Sequence, residues 1–164
     1  MIFKFKKHNT IFYSTLLKLS RNIYFYKKIN LKDIFETRIY LIFIHFSIIL
    51  MIYKKKKVEF PQIEYDNLFF NIENDLRELG FGDVSVNKKM KEMNKVFYDI
   101  LFKLNKSDTD IEINKKLVLK YFSEFNDKNT DKYNYFAEYF IDFYNFCFDK
   151  DPKIMLKDVL KFKI

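Results

Sequence analysis

Leu76-Arg77-Glu78-Leu79-Gly80-Phe81-Gly82-Asp83-Val84-Ser85-Val86 holds both glycines of a 164-residue chain. Glycine alone enters the left-handed backbone region without a Cβ penalty. Gly80 therefore reads as the residue that closes one helix, and Gly82 as a point of close backbone approach. Upstream, Tyr65, Leu68, Phe69, Ile72, Leu76 and Leu79 recur at helical spacing, and downstream Val86, Met90, Met93, Phe97, Ile100 and Leu104 do the same. Ser85 is placed to cap the second helix by accepting from the amide of Asn87 or Lys88. Two striped helices joined by so short a turn form an αα-hairpin, with Leu76 and Leu79 expected against Met90 and Met93.

The same periodicity extends in both directions. Phe12, Leu16, Leu19, Ile23 and Tyr26 make one stripe of a first helix. A second helix, from about Lys32 to Tyr53, is apolar on all sides after Arg38, as a central helix surrounded by others would be. Lys54–Lys57 end it and suit its C-terminal dipole. Pro61 opens the helix that leads into the hairpin. Beyond the hairpin, Thr109 and Glu112 form a capping box for a helix carrying Val118, Tyr121, Phe122 and Phe125. Residues 126–131 read as a loop, and a sixth helix carries Tyr133, Phe136, Ala137, Phe140, Ile141, Tyr144 and Phe148 until Asp151-Pro152 starts a short last turn. The expectation is all-α: one domain over residues 1–164, about six helices around one core. A chain with two glycines and two prolines has too few turn residues for a sheet-rich fold.

The net charge of +8 is unevenly placed. Residues 1–64 carry +9 and residues 65–164 carry −1. A basic half suits an anionic neighbour, such as lipid headgroups or ribosomal RNA. Heavy use of Lys, Asn, Ile, Phe and Tyr also matches A+T-rich coding, which would enrich lysine without any functional cause. The apolar run Ile39–Tyr53 is shorter than the roughly 20 residues a bilayer span needs, so a core or interfacial helix is expected.

Signals for catalysis are weak. Cys147 is the sole cysteine and sits among Phe143, Tyr144, Phe146 and Phe148, as an inert buried thiol does. His8 and His45 are the only histidines and lie on different segments; His45, between Ile44 and Phe46, reads as a satisfied core histidine. Asp127 and Asp131 stand four apart, but in an apparent solvated loop. Phosphate-loop, dinucleotide and serine-elbow motifs are missing from the sequence. No catalytic residue, metal or cofactor is expected. Aromatic residues at 20% alongside many lysines could stack on bases, yet most fall on helical stripes where core packing explains them. Met90 and Met93, with Met51 and Met155, fit core filling and could also line an adaptable groove.

The stretch from Asn74 to Met93, continued by Phe97-Tyr98, resembles the ubiquinol–cytochrome c chaperone family. The resemblance rests on Leu76-Arg77-Glu78, then Gly80-Phe81-Gly82-Asp83, Ser85, the paired Lys88-Lys89, and Phe97-Tyr98. It extends more weakly over residues 8–150, through Tyr13, Arg21, Phe25-Tyr26, Arg38 and His45. Ile23 and Thr37 depart from it, standing where the family often has proline and glycine. The resemblance implies a bacterial-type member, whose basic start is the first helix rather than a presequence. It implies a non-enzymatic assembly factor that binds newly made cytochrome b for ubiquinol–cytochrome c reductase (complex III). Expected neighbours are the ribosome exit region and an anionic membrane surface, with room for a small helical partner subunit and no role for DNA. The expected location is cytoplasmic and peripheral to the inner membrane, or the mitochondrial matrix for a eukaryotic source. Gly80, Gly82, Asp83, Lys88, Lys89, Lys91 and Tyr98 are the partner-binding candidates. Lysines at a helix start oppose its dipole, a local cost that other interactions must offset; the alternative is that Lys88, Lys89 and Lys91 form a solvated face. The competing reading is a basic helical adaptor for RNA, the ribosome or a membrane surface, without a cytochrome b client.

Overall fold

A computed structural model describes residues 11–104, 111–128 and 130–164. In chain order the helices are α1 (Ile11–Ser20), α2 (Ile23–Lys27), α3 (Phe35–Lys55), α4 (Gln62–Glu78), α5 (Asp83–Leu104), α6 (Lys115–Tyr121), α7 (Thr130–Phe148) and α8 (Pro152–Asp158), with a 3₁₀ turn at Val159–Lys161. There is no strand among the described residues. The class is all-α as expected; the first expected helix is split into α1 and α2, and α8 is the short last turn.

The centre is α3. Fourteen of its 21 residues are buried, and α1, α5 and α7 pack around it. By length and composition it is the one described helix that could cross a bilayer, but 72% of its apolar window is buried inside the fold. Burial among neighbouring helices accounts for its composition without a membrane.

Two helices end in the same way. At the end of α4, Phe81 N–H donates to Leu76 O (3.3 Å) and Gly80 N–H to Arg77 O (3.0 Å), with Gly80 at φ +95°. This is a Schellman motif, and it confirms the left-handed role of Gly80. Lys57 (φ 56°) closes α3 with a matching bond from Val58 N–H to Tyr53 O, whereas Asn30 (φ 61°) follows α2 with a wider one, from Leu31 N–H to Phe25 O. Replacing Gly80 by valine is expected to destabilise the domain by about 1–2 kcal/mol, because a β-branched residue is strained there. Chemical denaturation measures this, and an unchanged midpoint would contradict the C-cap assignment.

Several boundaries differ from the sequence reading. The first helix is broken after Ser20, where the Asn22 side chain accepts from Tyr24 N–H at 3.0 Å and starts α2; Ile23 consequently faces solvent. Ser85 is not a cap: α5 begins at Asp83, and its first bond runs from Val86 N–H to Gly82 O at 2.9 Å. Glycine needs no close approach at 82, since a Cβ there would meet nothing within 4 Å. Leu79 is 57% exposed and Met90 only partly buried, whereas Leu76 and Met93 are buried. Thr109 lies outside the described residues; α6 instead starts behind Asn114, whose side chain accepts from Lys116 and Leu117 amides. Helix α6 ends at Tyr121, so Phe122 and Phe125 are buried from the connecting segment.

Helix α7 is rotated from its expected phase. Phe136, Phe140 and Tyr144 are buried as anticipated, but Tyr139, Phe143 and Cys147 complete the buried face, while Ile141 and Phe148 are exposed. Asp131 belongs to its first turn rather than to the preceding loop. Asp151 caps α8 with Pro152 at its first position, as the break implied.

Candidate functional site

The hairpin of α4 and α5 spreads the candidate residues over three distinct places. Gly80, Gly82 and Asp83 form the turn, where Arg77 links Asp83 to Glu73 (2.9 Å to Glu73). Lys88 and Lys91 lie on the outer, exposed side of α5. Lys89 points the other way and sits over the Phe81 ring at 4.7 Å. Tyr98 is further along α5, 48% exposed, and its hydroxyl meets that of Tyr65 at 3.3 Å. Lys89 therefore does not share a patch with Lys88, Lys91 and Tyr98.

Tyr98 instead belongs to an open groove of about 590 Å³ between α4 and α5. Its walls are Tyr65, Phe69, Phe70, Met90, Asn94 and Tyr98, with Asp66 and Glu73 at the edge. Helical spacing explains the lining. Residues 66, 69, 70 and 73 occupy the outer side of α4, while 90, 94 and 98 step along the facing side of α5. Burial, and then the bond to Tyr98, push the Tyr65 hydroxyl pKa up, so it stays a neutral donor. The groove offers aromatic faces, a flexible thioether and neutral hydrogen-bonding groups. That suits an apolar polypeptide segment, and the carboxylates of Asp66 and Glu73 add acidic groups to the same groove. Among the sequence candidates only Tyr98 lines it. In the sequence Met90 is possible groove material, Tyr65 and Phe69 belong to a core stripe, and Phe70 and Asn94 carry no separate signal.

A second cleft, of about 310 Å³, lies where α1, α3 and α4 meet. Arg21, Arg38 and Asp75 line it together with Leu17, Ile39 and Leu79. Tyr13 donates to Asp75 there, tying α1 to α4. Burial raises the Asp75 pKa, and the Tyr13 bond works against that rise. Arg38 Nε is 3.1 Å from an Asp33 carboxylate oxygen. Thus Tyr13, Arg21 and Arg38, singled out by the resemblance, serve the junction of three helices.

His45 is fully buried on α3. Its Nδ1–H donates to Leu41 O at 2.7 Å, and Nε2 accepts from Tyr139 O–H at 2.9 Å. Desolvation lowers its pKa from 6.5 to about 3, so it is neutral in the fold. Four aromatic rings, those of Phe25, Tyr139, Phe140 and Phe143, surround it within 6.0 Å of its centroid. Both nitrogens are used, so the satisfied core reading of His45 holds. Cys147 is buried and its thiol is pushed up to about 12 by desolvation, which disfavours the reactive thiolate. Among the described residues no group of three or more His, Cys, Asp or Glu side chains could hold a metal ion.

The family model for the ubiquinol–cytochrome C chaperone matches residues 27–120. That span is more than half of the chain and runs from the last residue of α2 through most of α6, including the hairpin and its groove. The chain belongs to the ubiquinol–cytochrome C chaperone family. The match confirms the family suggested by the Leu76–Tyr98 pattern, over a shorter span than residues 8–150. No curated protein and no solved structure matches the chain. Membership of a chaperone family implies a non-enzymatic role exercised on a protein client. The groove, which lies inside the matched span, is the surface in the hairpin best shaped for one.

Proposed function

We propose that the chain holds newly made cytochrome b and supports its entry into ubiquinol–cytochrome c reductase, with the client's apolar segment seated between α4 and α5. The observation that carries this reading is the aromatic groove of about 590 Å³ within the matched residues. A membrane subunit that has not yet met its partners exposes apolar helix surface to water. Covering that surface needs a concave, adaptable, mainly aromatic site, and Phe69, Phe70, Met90 and Tyr98 supply one. Gly80, Gly82 and Asp83 contribute by fixing the angle between the two walls. The protein works at the inner membrane surface, on the cytoplasmic or matrix side, where the basic half of the chain favours anionic headgroups over neutral ones.

Affinity capture from detergent-solubilised membranes tests the groove. Cytochrome b is expected to co-purify with the wild-type chain and to be lost with Phe70→Glu combined with Tyr98→Glu, two changes at partly or wholly exposed positions. The thermal midpoint of the double variant should stay close to wild type. Undiminished capture by a folded double variant would place the client elsewhere.

A further inference from the structure

We propose that the outer side of α5 is a lipid-contacting face that rests on an anionic bilayer. Val84, Lys88, Lys91, Lys95, Tyr98 and Phe102 follow one another at spacings of four and three residues, which puts them on one side of the helix, and all six are exposed. The stripe contains no acid. None of its three lysines takes part in an ion pair among the described residues, although Lys103 and Lys120 elsewhere are drawn to Asp99. From Val84 to Phe102 it runs roughly 27 Å, at about 1.5 Å per residue.

The ends of the stripe are what direct it to lipid. Val84 is 85% exposed and Phe102 is 73% exposed, an unusual cost for large apolar side chains on a helix that has a well-filled core side. Leu79 and Phe81 add exposed apolar surface at the turn immediately before Val84. Apolar residues at both ends, cations between them and a tyrosine near one end describe a helix lying in the headgroup region. There the lysine stems run along the acyl boundary while their ammonium groups reach phosphate. A phosphate backbone of RNA would use the lysines but would leave Val84 and Leu79 in water. The stripe also borders the client groove along Tyr98, so a protein resting on this face presents the groove beside the membrane and not away from it.

This inference rests on the membrane-surface reading above and names the surface that makes the contact. By contrast, part of the lysine run in the basic half is committed to the fold itself. Lys55 Nζ donates to the Tyr144 hydroxyl at 3.0 Å, and Lys56 Nζ donates to Lys150 O.

The chain has no tryptophan, so Phe102→Trp creates a sole tryptophan on the proposed face, one that can be excited selectively over tyrosine. With phosphatidylcholine vesicles containing phosphatidylglycerol, its emission is expected to shift to the blue, and with pure phosphatidylcholine vesicles the shift should be far smaller. Tryptophan at exposed Ile141 on α7 should show no shift. Reversal of the stripe in Lys88→Glu/Lys91→Glu/Lys95→Glu should weaken vesicle binding by at least about a hundredfold, taking about fivefold for each lysine near an anionic surface. A blue shift at Ile141 rather than at 102, or unchanged vesicle binding by the folded triple variant, would overturn the assignment while leaving membrane association to the basic half. Failure of the wild type to bind anionic vesicles at low salt would overturn both. Binding to polyuridylate that the triple variant loses, without vesicle binding, would identify the face as an RNA surface and reject the lipid assignment.

Discussion

Phe97→Ala is expected to destabilise the domain by about 3–5 kcal/mol, the usual range for truncating a fully buried phenylalanine. Phe97 is completely buried on α5, where its ring meets Phe43 at 5.3 Å, Phe46 at 5.4 Å and Phe69 at 5.4 Å. Those neighbours come from α3 and α4, so one side chain fastens the hairpin to the central helix. Rings this stiff cannot collapse into the vacated space, which keeps the penalty at the upper part of the range. Domains of this kind have a total stability of about 5–15 kcal/mol, so a large share would be lost. Urea denaturation at constant pH reads the change. Phe102→Ala, five residues further along and exposed, should alter stability by about 0.5 kcal/mol or less. Equal effects at the two positions would mean that α5 does not pack through the side described.

Acid should destabilise the protein through His45. The folded state holds the ring neutral because burial lowers its pKa to about 3, while the unfolded chain takes up a proton near 6.5. Below 6.5 the unfolded state therefore binds more protons than the native state, and stability falls as the pH falls. Above 6.5 the group contributes no pH dependence. Within the window from 6.5 down to about 3 the slope approaches about 1.4 kcal/mol per pH unit. Denaturation midpoints measured from about pH 7.5 to about pH 4.5 check it. The comparison is His45→Leu/Tyr139→Phe, which removes both hydrogen-bonding partners and leaves no orphan inside the core. That variant should lose the part of the acid slope due to His45. An acid slope identical to wild type would show that His45 is not the group responsible.

Much of this architecture is legible in the residues, and the exceptions have physical causes. The hairpin could be read because Gly80 does a job that few other residues do without strain. Lys57 occupies the same left-handed region at the end of α3, yet lysine gives no local sign of it; the geometry follows from tertiary packing. The break between α1 and α2 was hidden by an apolar stripe that ran through it, although Asn22 was available as a cap. The phase of α7 was ambiguous because aromatic residues occupy most sides of residues 133–148, which leaves the helical period with little contrast. The groove was harder still. Tyr65 and Phe69 recur at core spacing, and periodicity cannot distinguish a residue inside the core from one at its open edge. The lysines could be seen in the sequence, but their division between Lys89, turned to Phe81, and Lys88 with Lys91, turned outward, depends on the angle at which α5 sits.

Charge shows a related limit. The +9 of residues 1–64 suggests a uniformly available cationic surface. In the fold, Arg38 lies beside Asp33 and two of the four lysines at the end of α3 bind groups of α7 and the segment that follows it. Lys88, Lys91 and Lys95 of α5, in the half with net charge −1, are exposed and take part in no ion pair among the described residues. Net charge by segment therefore does not by itself say which cations are exposed and unpaired.

The most direct measurement is the amount of assembled ubiquinol–cytochrome c reductase in a strain lacking the chain, determined spectroscopically and by native electrophoresis. The chaperone account predicts loss of the complex with cytochrome b degraded or unassembled, restoration by the wild-type chain, and no restoration by Phe70→Glu/Tyr98→Glu. Normal levels of assembled reductase in the strain without the chain would contradict it.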